Sequence, residues 1–176
     1  MNIVVPHDPS WKRQYLIEAD LIRRELGNSI LALHHIGSTA ISGILAKPII
    51  DILGVSDCLD RLDHQVSAFE RMGYESLGEY GVEGRRYFRK CDSSGKRTHH
   101  LHCFASGSPH ITRHLAFRDF LRSHPVRADA YSTLKRVLVE EQKTDWEAYI
   151  SGKAQFVEET ENLALNWFNR LNKPAG

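Results

Sequence analysis

The chain has 176 residues, 23 basic against 22 acidic, with ten histidines, 41% hydrophobic and 26% charged content. That length fits one domain with a real core, 1–176, and the balanced charge argues against a nucleic-acid partner. No apolar run approaches a membrane span. The first residues lack the basic and apolar regions of a secretory signal, and Cys58, Cys91 and Cys103 have no disulfide-framework spacing, so the expected location is the reducing cytoplasm.

In chain order, Trp11, Tyr15, Leu16, Leu21, Ile22 and Leu26 recur at helical spacing, with Ser10 as the expected N-cap and Gly27 just past the end. Ile30 to Ile36 reads as a strand ending at a Gly37-Ser38 turn, and Pro48 opens a second strand, Ile49 to Val55. Asp57 and Asp60, followed by Leu59, Leu62, Val66 and Phe69, predict one amphipathic helix ending near Gly73. Arg86 to Cys91 and Thr98 to Ala105 flank a hairpin loop, Asp92 to Lys96. The remainder is helical: Ile111 to Arg122, Val126 to about Gln142, and Trp146 to Leu171 with a break expected at Ser151-Gly152. The expected class is α+β, a mixed sheet with a helical C-terminal third.

Chemistry concentrates in two segments. Asp51 interrupts the apolar run Ile49 to Leu53, and a carboxylate there needs a cation, a donor or a metal. It is read either as a structural carboxylate tied to Lys47, a backbone donor or an arginine, or as a metal ligand. Gly37 lets backbone N–H groups approach an anion and Ser38 adds a hydroxyl, or the pair is only a positive-φ turn with a capping serine. In Thr98 to Phe104, strand geometry puts His100 and His102 on one face, where they can join Asp51 around one ion; the blander reading is hydrogen-bonded histidines on a half-buried strand.

Cations supply further candidates. Arg85 and Arg86 point to opposite faces of their strand, and one arginine could clamp a triphosphate bidentately, against the blander reading of surface solvation. Arg118 would face a cleft only if one lies beneath its helix, and is otherwise surface charge. Lys153 follows Tyr149 by four residues near a helix start, where a lysine gains nothing from the helix dipole. That suggests a ligand role, against the ordinary reading of an exposed side chain.

The segment His34 to Val55, HHIGSTAISGILAKPIIDILGV, resembles the signature of the GrpB family. GRRYFRK, HHLHCF, RHLAFRDFLRSHP and YISGKAQFVEE are similar to further blocks of that family in the same order. The resemblance covers nearly the whole chain. It implies a nucleotidyltransferase-like fold, in which an apolar-Gly-Ser turn is followed by a strand with two carboxylates one residue apart. Here Ile36-Gly37-Ser38 and Asp51 match, but the second carboxylate position is Leu53, and the strand expected to carry a third acid offers His100 and His102.

The resemblance therefore implies a nucleotide or phosphorylated small molecule on Gly37, Ser38, Lys47, Arg85, Arg86, Arg118 and Lys153. A divalent metal (Mg, Mn or Zn) would sit on Asp51, His100 and His102, with Asp51 as the catalytic carboxylate. The departure at Leu53 leaves two alternatives beside nucleotidyl transfer: non-catalytic nucleotide binding with a regulatory role, and metal-dependent phosphoester hydrolysis.

Overall fold

A computed structural model of the chain describes residues 4–141 and 146–172. Helix α1 (Ser10–Leu26) leads into β1 (Ala32–Ile36) and β2 (Ile50–Ser56), then the short helices α2 (Leu59–Asp63) and α3 (Val66–Arg71). Strands β3 (Tyr74–Ser76), β4 (Arg85–Cys91) and β5 (Arg97–Ala105) precede α4 (Pro109–Ser123), α5 (Pro125–Glu141) and α6 (Trp146–Leu171). The five strands make one sheet in the order β1-β2-β5-β4-β3, antiparallel except for the parallel β2–β5 pair. This is the expected α+β arrangement, with helices filling the C-terminal third. None of the helices among the described residues is long and apolar enough to cross a membrane.

Alternation along the strands sorts side chains to two faces. Leu33, Ile50, Ile52, Phe88 and Leu101 point to the face covered by α1, α2 and α3, where Trp11, Ile22 and Phe69 complete the main core. Ile36, Leu53 and Phe104 point the other way, beneath Ile111 and Leu115 of α4. A third cluster joins Ile41 and Ile44 of the β1–β2 connection to Phe120 of α4, Tyr131 of α5 and Ala164 of α6. That connection is thereby sandwiched between the sheet and the C-terminal helices.

Several local expectations are corrected. Ser10 is the first helical residue rather than the N-cap; Pro9 holds the cap position, and the Ser10 N–H donates to Asp8 Oδ1 at 2.8 Å. The helix expected from Asp57 to Gly73 is split after Asp63, because the Gln65 N–H bonds back to the Leu62 carbonyl only three residues away and tightens the turn. The two first strands begin later than expected, at Ala32 and Ile50, and β3, three residues long, is too short to have shown alternation. Ser151-Gly152 does not break α6; a Cβ at Gly152 would stand 2.5 Å from Leu138 Cδ2, so the glycine permits α5 and α6 to pack closely. The end expected at Gln142 lies outside the described residues.

Candidate functional site

Two neighbouring strands, β2 and β5, deliver the first part of the site. Register places Asp51 opposite Ile36 on β1 and beside His100 on β5, with His102 beside Leu53. Because paired residues share a face, both histidines and Asp51 point to the side covered by the C-terminal helices. His100 Nδ1 lies 3.1 Å from Asp51 Oδ1, and His102 Nε2 lies 3.6 Å from the same oxygen. One ligand atom from each of the three residues falls within 4.8 Å of the others, a span one ion can bridge. Burial works against charge on Asp51, yet hydrogen bonds from the two histidines outweigh it and hold the carboxyl below its usual range. Burial lowers His102, opposed by the Asp51 charge.

The β1–β2 connection delivers the second part. Gly37 has φ +69 and ψ −173 and opens a 3₁₀ turn, Ser38–Ala40. A Cβ on Gly37 would stand 2.5 Å from Asp51 Oδ2, so only glycine lets the turn lie against the carboxylate. Beyond it opens a cleft of about 770 Å³, reached by Ser38, Lys47, Asp51 and His100 from the sheet side and by Lys135 and Lys153 from α5 and α6.

Lys135 is the residue that sequence reasoning missed. It is 2% exposed, its Nζ donates to Ser38 Oγ at 3.0 Å and also to the Leu45 carbonyl, and it lies 4.2 Å over the Tyr131 ring. The signal was present: Ala128, Tyr131, Lys135 and Leu138 form the buried stripe of α5, and a lysine on an apolar stripe needs acceptors. Lys47 and Lys153 lie 4.6 Å and 5.3 Å from the centre of the Tyr149 ring. Burial pushes Lys135 down to about 7 and Lys47 to about 8, and lowers Lys153, with the Lys153 charge adding to the first two shifts.

The sign of the Lys135 shift gives a test. An unfolded lysine stays protonated to about its ordinary value of 10.5, whereas Lys135 in the fold gives up its proton above about 7. The unfolded chain therefore binds more protons between these values, and this residue makes stability rise with pH across that window. Melting temperatures followed from pH 6.5 to 9.5 should climb less steeply in Lys135→Met than in the parent; identical slopes would show that folding does not lower the pKa of Lys135.

The arginines behave differently. Arg86 points to the opposite sheet face and chelates Asp63 of α2 at 2.6 and 2.7 Å, away from Asp51. Arg85 shares the face of Asp51 but donates to the carbonyls of Glu79 and Tyr80, at 3.1 and 2.6 Å, with Nη1 3.4 Å from His102 Nδ1. Arg118 chelates Asp119 and donates to the His35 carbonyl at 3.0 Å, bordering a second cleft of about 860 Å³. Thus Ser38, Lys47, Asp51, His100 and Lys153 meet at one cleft, Gly37 and His102 support it, and the three arginines stand outside its lining.

A mixed five-stranded sheet with a Gly-Ser turn against a carboxylate-bearing strand is a nucleotidyltransferase-like fold. Its likeness to terminal uridylyl transferase 4 from Trypanosoma brucei, solved with bound dUTP, has a TM-score of 0.54 over 94% of this chain and 55% of that one, at 10% identity, a likeness of fold. Within that class the chain belongs to the GrpB family, whose model, described as GrpB protein, matches residues 2–162. The crystal structure of conserved protein GrpB from Enterococcus faecalis is 39% identical with a TM-score of 0.90, covering 94% of this chain and 99% of that one. UPF0157 protein YqkA of Bacillus subtilis is 38% identical over 176 residues, 98% of this chain; the chain spans 50% of that relative's length.

Proposed function

We propose that the chain binds a nucleotide or another phosphorylated small molecule in the cleft above Asp51, with a divalent metal on Asp51, His100 and His102. The observation that carries this reading is the convergence of Lys47, Lys135 and Lys153, from three separate segments, on a cleft that Asp51 and His100 also line. Cations gathered at one concave surface are the arrangement that holds phosphate. One carboxylate with two imidazoles suits Zn²⁺ or Mn²⁺ better than Mg²⁺. Such an ion supplies Lewis-acid charge to a phosphoryl oxygen. In this reading Lys47 and Lys153 neutralise the phosphates, Lys135 holds the Ser38 turn in place, and Asp51 orients both histidines. In this reading residues 1–176 act as one domain in the cytoplasm.

Leu53 favours a second reading, binding without transfer. Its side chain is fully buried with Ile36 and Phe104, so the position of the second carboxylate in the superfamily pattern is part of an apolar cluster under α4. Two-metal displacement uses carboxylates that bridge both ions, and this face has Asp51 without that neighbour.

The test begins with metal content of the purified chain, followed by titration of nucleoside triphosphates with Mg²⁺, Mn²⁺ or Zn²⁺ while pyrophosphate and phosphate are monitored. Asp51→Ala, His100→Ala and His102→Ala should each weaken metal binding by about tenfold or more. Pyrophosphate release abolished in Asp51→Ala supports transfer, free phosphate alone supports hydrolysis, and saturable binding without either supports the second reading. Unchanged metal content and ligand affinity in all three variants would reject the site.

A further inference from the structure

Lys135 is aimed as well as buried. Its Nζ stands 3.0 Å from Ser38 Oγ and donates also to the Leu45 carbonyl. Ser132, on the preceding turn of α5, accepts the Leu45 N–H at 2.8 Å. One helix therefore grips both backbone polar groups of Leu45, which fixes the lysine against the β1–β2 connection. The Tyr131 ring, centred 4.2 Å from Nζ, closes another side.

Ser38 is the member of the pair with access to solvent. It is half-buried and lines the same cleft as Asp51 and His100, directly after Gly37, whose positive φ turns the chain at the end of β1. A serine hydroxyl attacks poorly until a neighbouring group takes its proton, and a desolvated lysine is one such base. Activation needs a nucleophile within hydrogen-bond reach of a base that a third group orients. Ser38, Lys135 and the Leu45 carbonyl supply those three parts. Burial, aided by the Lys153 charge, brings Lys135 down to about 7, so its neutral form is well populated near neutrality. Neutral Nζ keeps an N–H on the Leu45 carbonyl and turns its lone pair to the Ser38 hydroxyl.

We propose that Ser38 Oγ is a nucleophile toward the phosphoanhydride of a nucleoside triphosphate bound in the cleft, with Lys135 as its general base, so that the chain takes a phosphoryl or nucleotidyl group onto Ser38. This rests on the phosphate reading proposed above and adds a covalent step to it. The Ser38 Oγ–P bond forms while the anhydride P–O bond in line with it breaks. The hydroxyl proton passes to Lys135 Nζ, and the electron pair of the broken bond leaves on the departing diphosphate or pyrophosphate. Lys135 ends the step as an ammonium beside the new phosphate ester, and Lys153 of α6 lines the same cleft. Cations opposite a serine phosphate stabilise it.

The experiment incubates the full chain with ATP and Mn²⁺, quenches samples in acid at intervals, which preserves a serine phosphate ester, and reads intact mass and peptide masses. ATP affinity is measured separately by calorimetric titration. One added group should appear on the peptide that carries Ser38; its mass tells phosphoryl from nucleotidyl, and either supports the inference. Ser38→Ala should carry no label at saturating ATP. Lys135→Met, with folding checked by its melting temperature, should label about a hundredfold more slowly or less, also at saturating ATP. An unlabelled parent that binds ATP, a Ser38→Ala chain labelled like the parent, or a folded Lys135→Met chain labelled at the parental rate overturns the inference and leaves phosphate binding standing. Should Lys135→Met not fold, the parent and Ser38→Ala decide. A parent that neither binds ATP nor takes a label overturns both.

Discussion

Gly37→Ala is expected to lower the melting temperature by roughly 4–24 °C and, on the reading proposed above, to release the metal. Two effects add. A side chain at φ +69 and ψ −173 occupies a region essentially reserved for glycine, which costs about 1–3 kcal/mol. The new Cβ would also stand 2.5 Å from Asp51 Oδ2 and 3.1 Å from Asp51 Cβ, and overpacking of this kind costs about 1–3 kcal/mol more. For a chain of this size each kcal/mol moves the midpoint by about 2–4 °C. Relief of the collision requires the Asp51 carboxylate to move, and His100 and His102 both aim at it. Gly43→Ala is the control: Gly43 also has positive φ, +84, but nothing lies within 4 Å of its added Cβ. Calorimetry and metal analysis should therefore show a modest loss of stability in Gly43→Ala with metal retained, and both losses in Gly37→Ala. Equal behaviour of the two would mean that Gly37 does not lie against Asp51.

Glu18→Ala should destabilise the chain by about 3 kcal/mol, the lower end expected for breaking a buried ion pair. Glu18 on α1 is 6% exposed, and Lys90 Nζ of β4 donates to both its carboxylate oxygens at 2.8 and 3.0 Å. His99 Nε2 of β5 lies 3.9 Å from the same group, and burial together with the Glu18 charge raises the neighbouring Tyr74 hydroxyl. Removing Glu18 leaves the Lys90 ammonium facing an apolar core beneath α1. The double variant Glu18→Leu, Lys90→Met should recover most of the loss, because a packed apolar pair carries no desolvation penalty. Denaturant titration of the single and double variants, beside Asp20→Ala at the exposed Arg24–Asp20 pair, decides the matter. A Glu18→Ala effect no larger than that of Asp20→Ala would show that the pair contributes only as a surface bridge does.

Much of this architecture was legible before any coordinates. Alternation along Ile49 to Val55 and Thr98 to Ala105 put Asp51, His100 and His102 on common faces, because strand geometry is fixed by a period of two. Sequence does not encode which strands become neighbours, so the meeting of Asp51 with both histidines was one of two readings of that strand until the β2–β5 register brought them together. Lys135 escaped because its place on the stripe of Ala128, Tyr131 and Leu138 says only that it needs acceptors; those acceptors, Ser38 Oγ and the Leu45 carbonyl, lie about ninety residues away along the chain. Arg86 stands apart from the cleft for the converse reason. Its alternation was readable, but the partner that occupies it, Asp63, belongs to a helix whose position only the tertiary fold defines.

The parallel pairing of β2 with β5 also has a kinetic side. Asp51 and His100 are 49 residues apart, and everything from α2 to the β4–β5 hairpin must be threaded between them before they meet. Closing so long a loop is slow and entropically unfavourable until the other pairings are in place. The cluster therefore assembles late, and a ligand gripping both residues has nothing to hold in the early folding ensemble. It would slow unfolding while leaving the refolding rate nearly unchanged, making occupancy of the cleft a brake on the native state's lifetime rather than an aid to its formation.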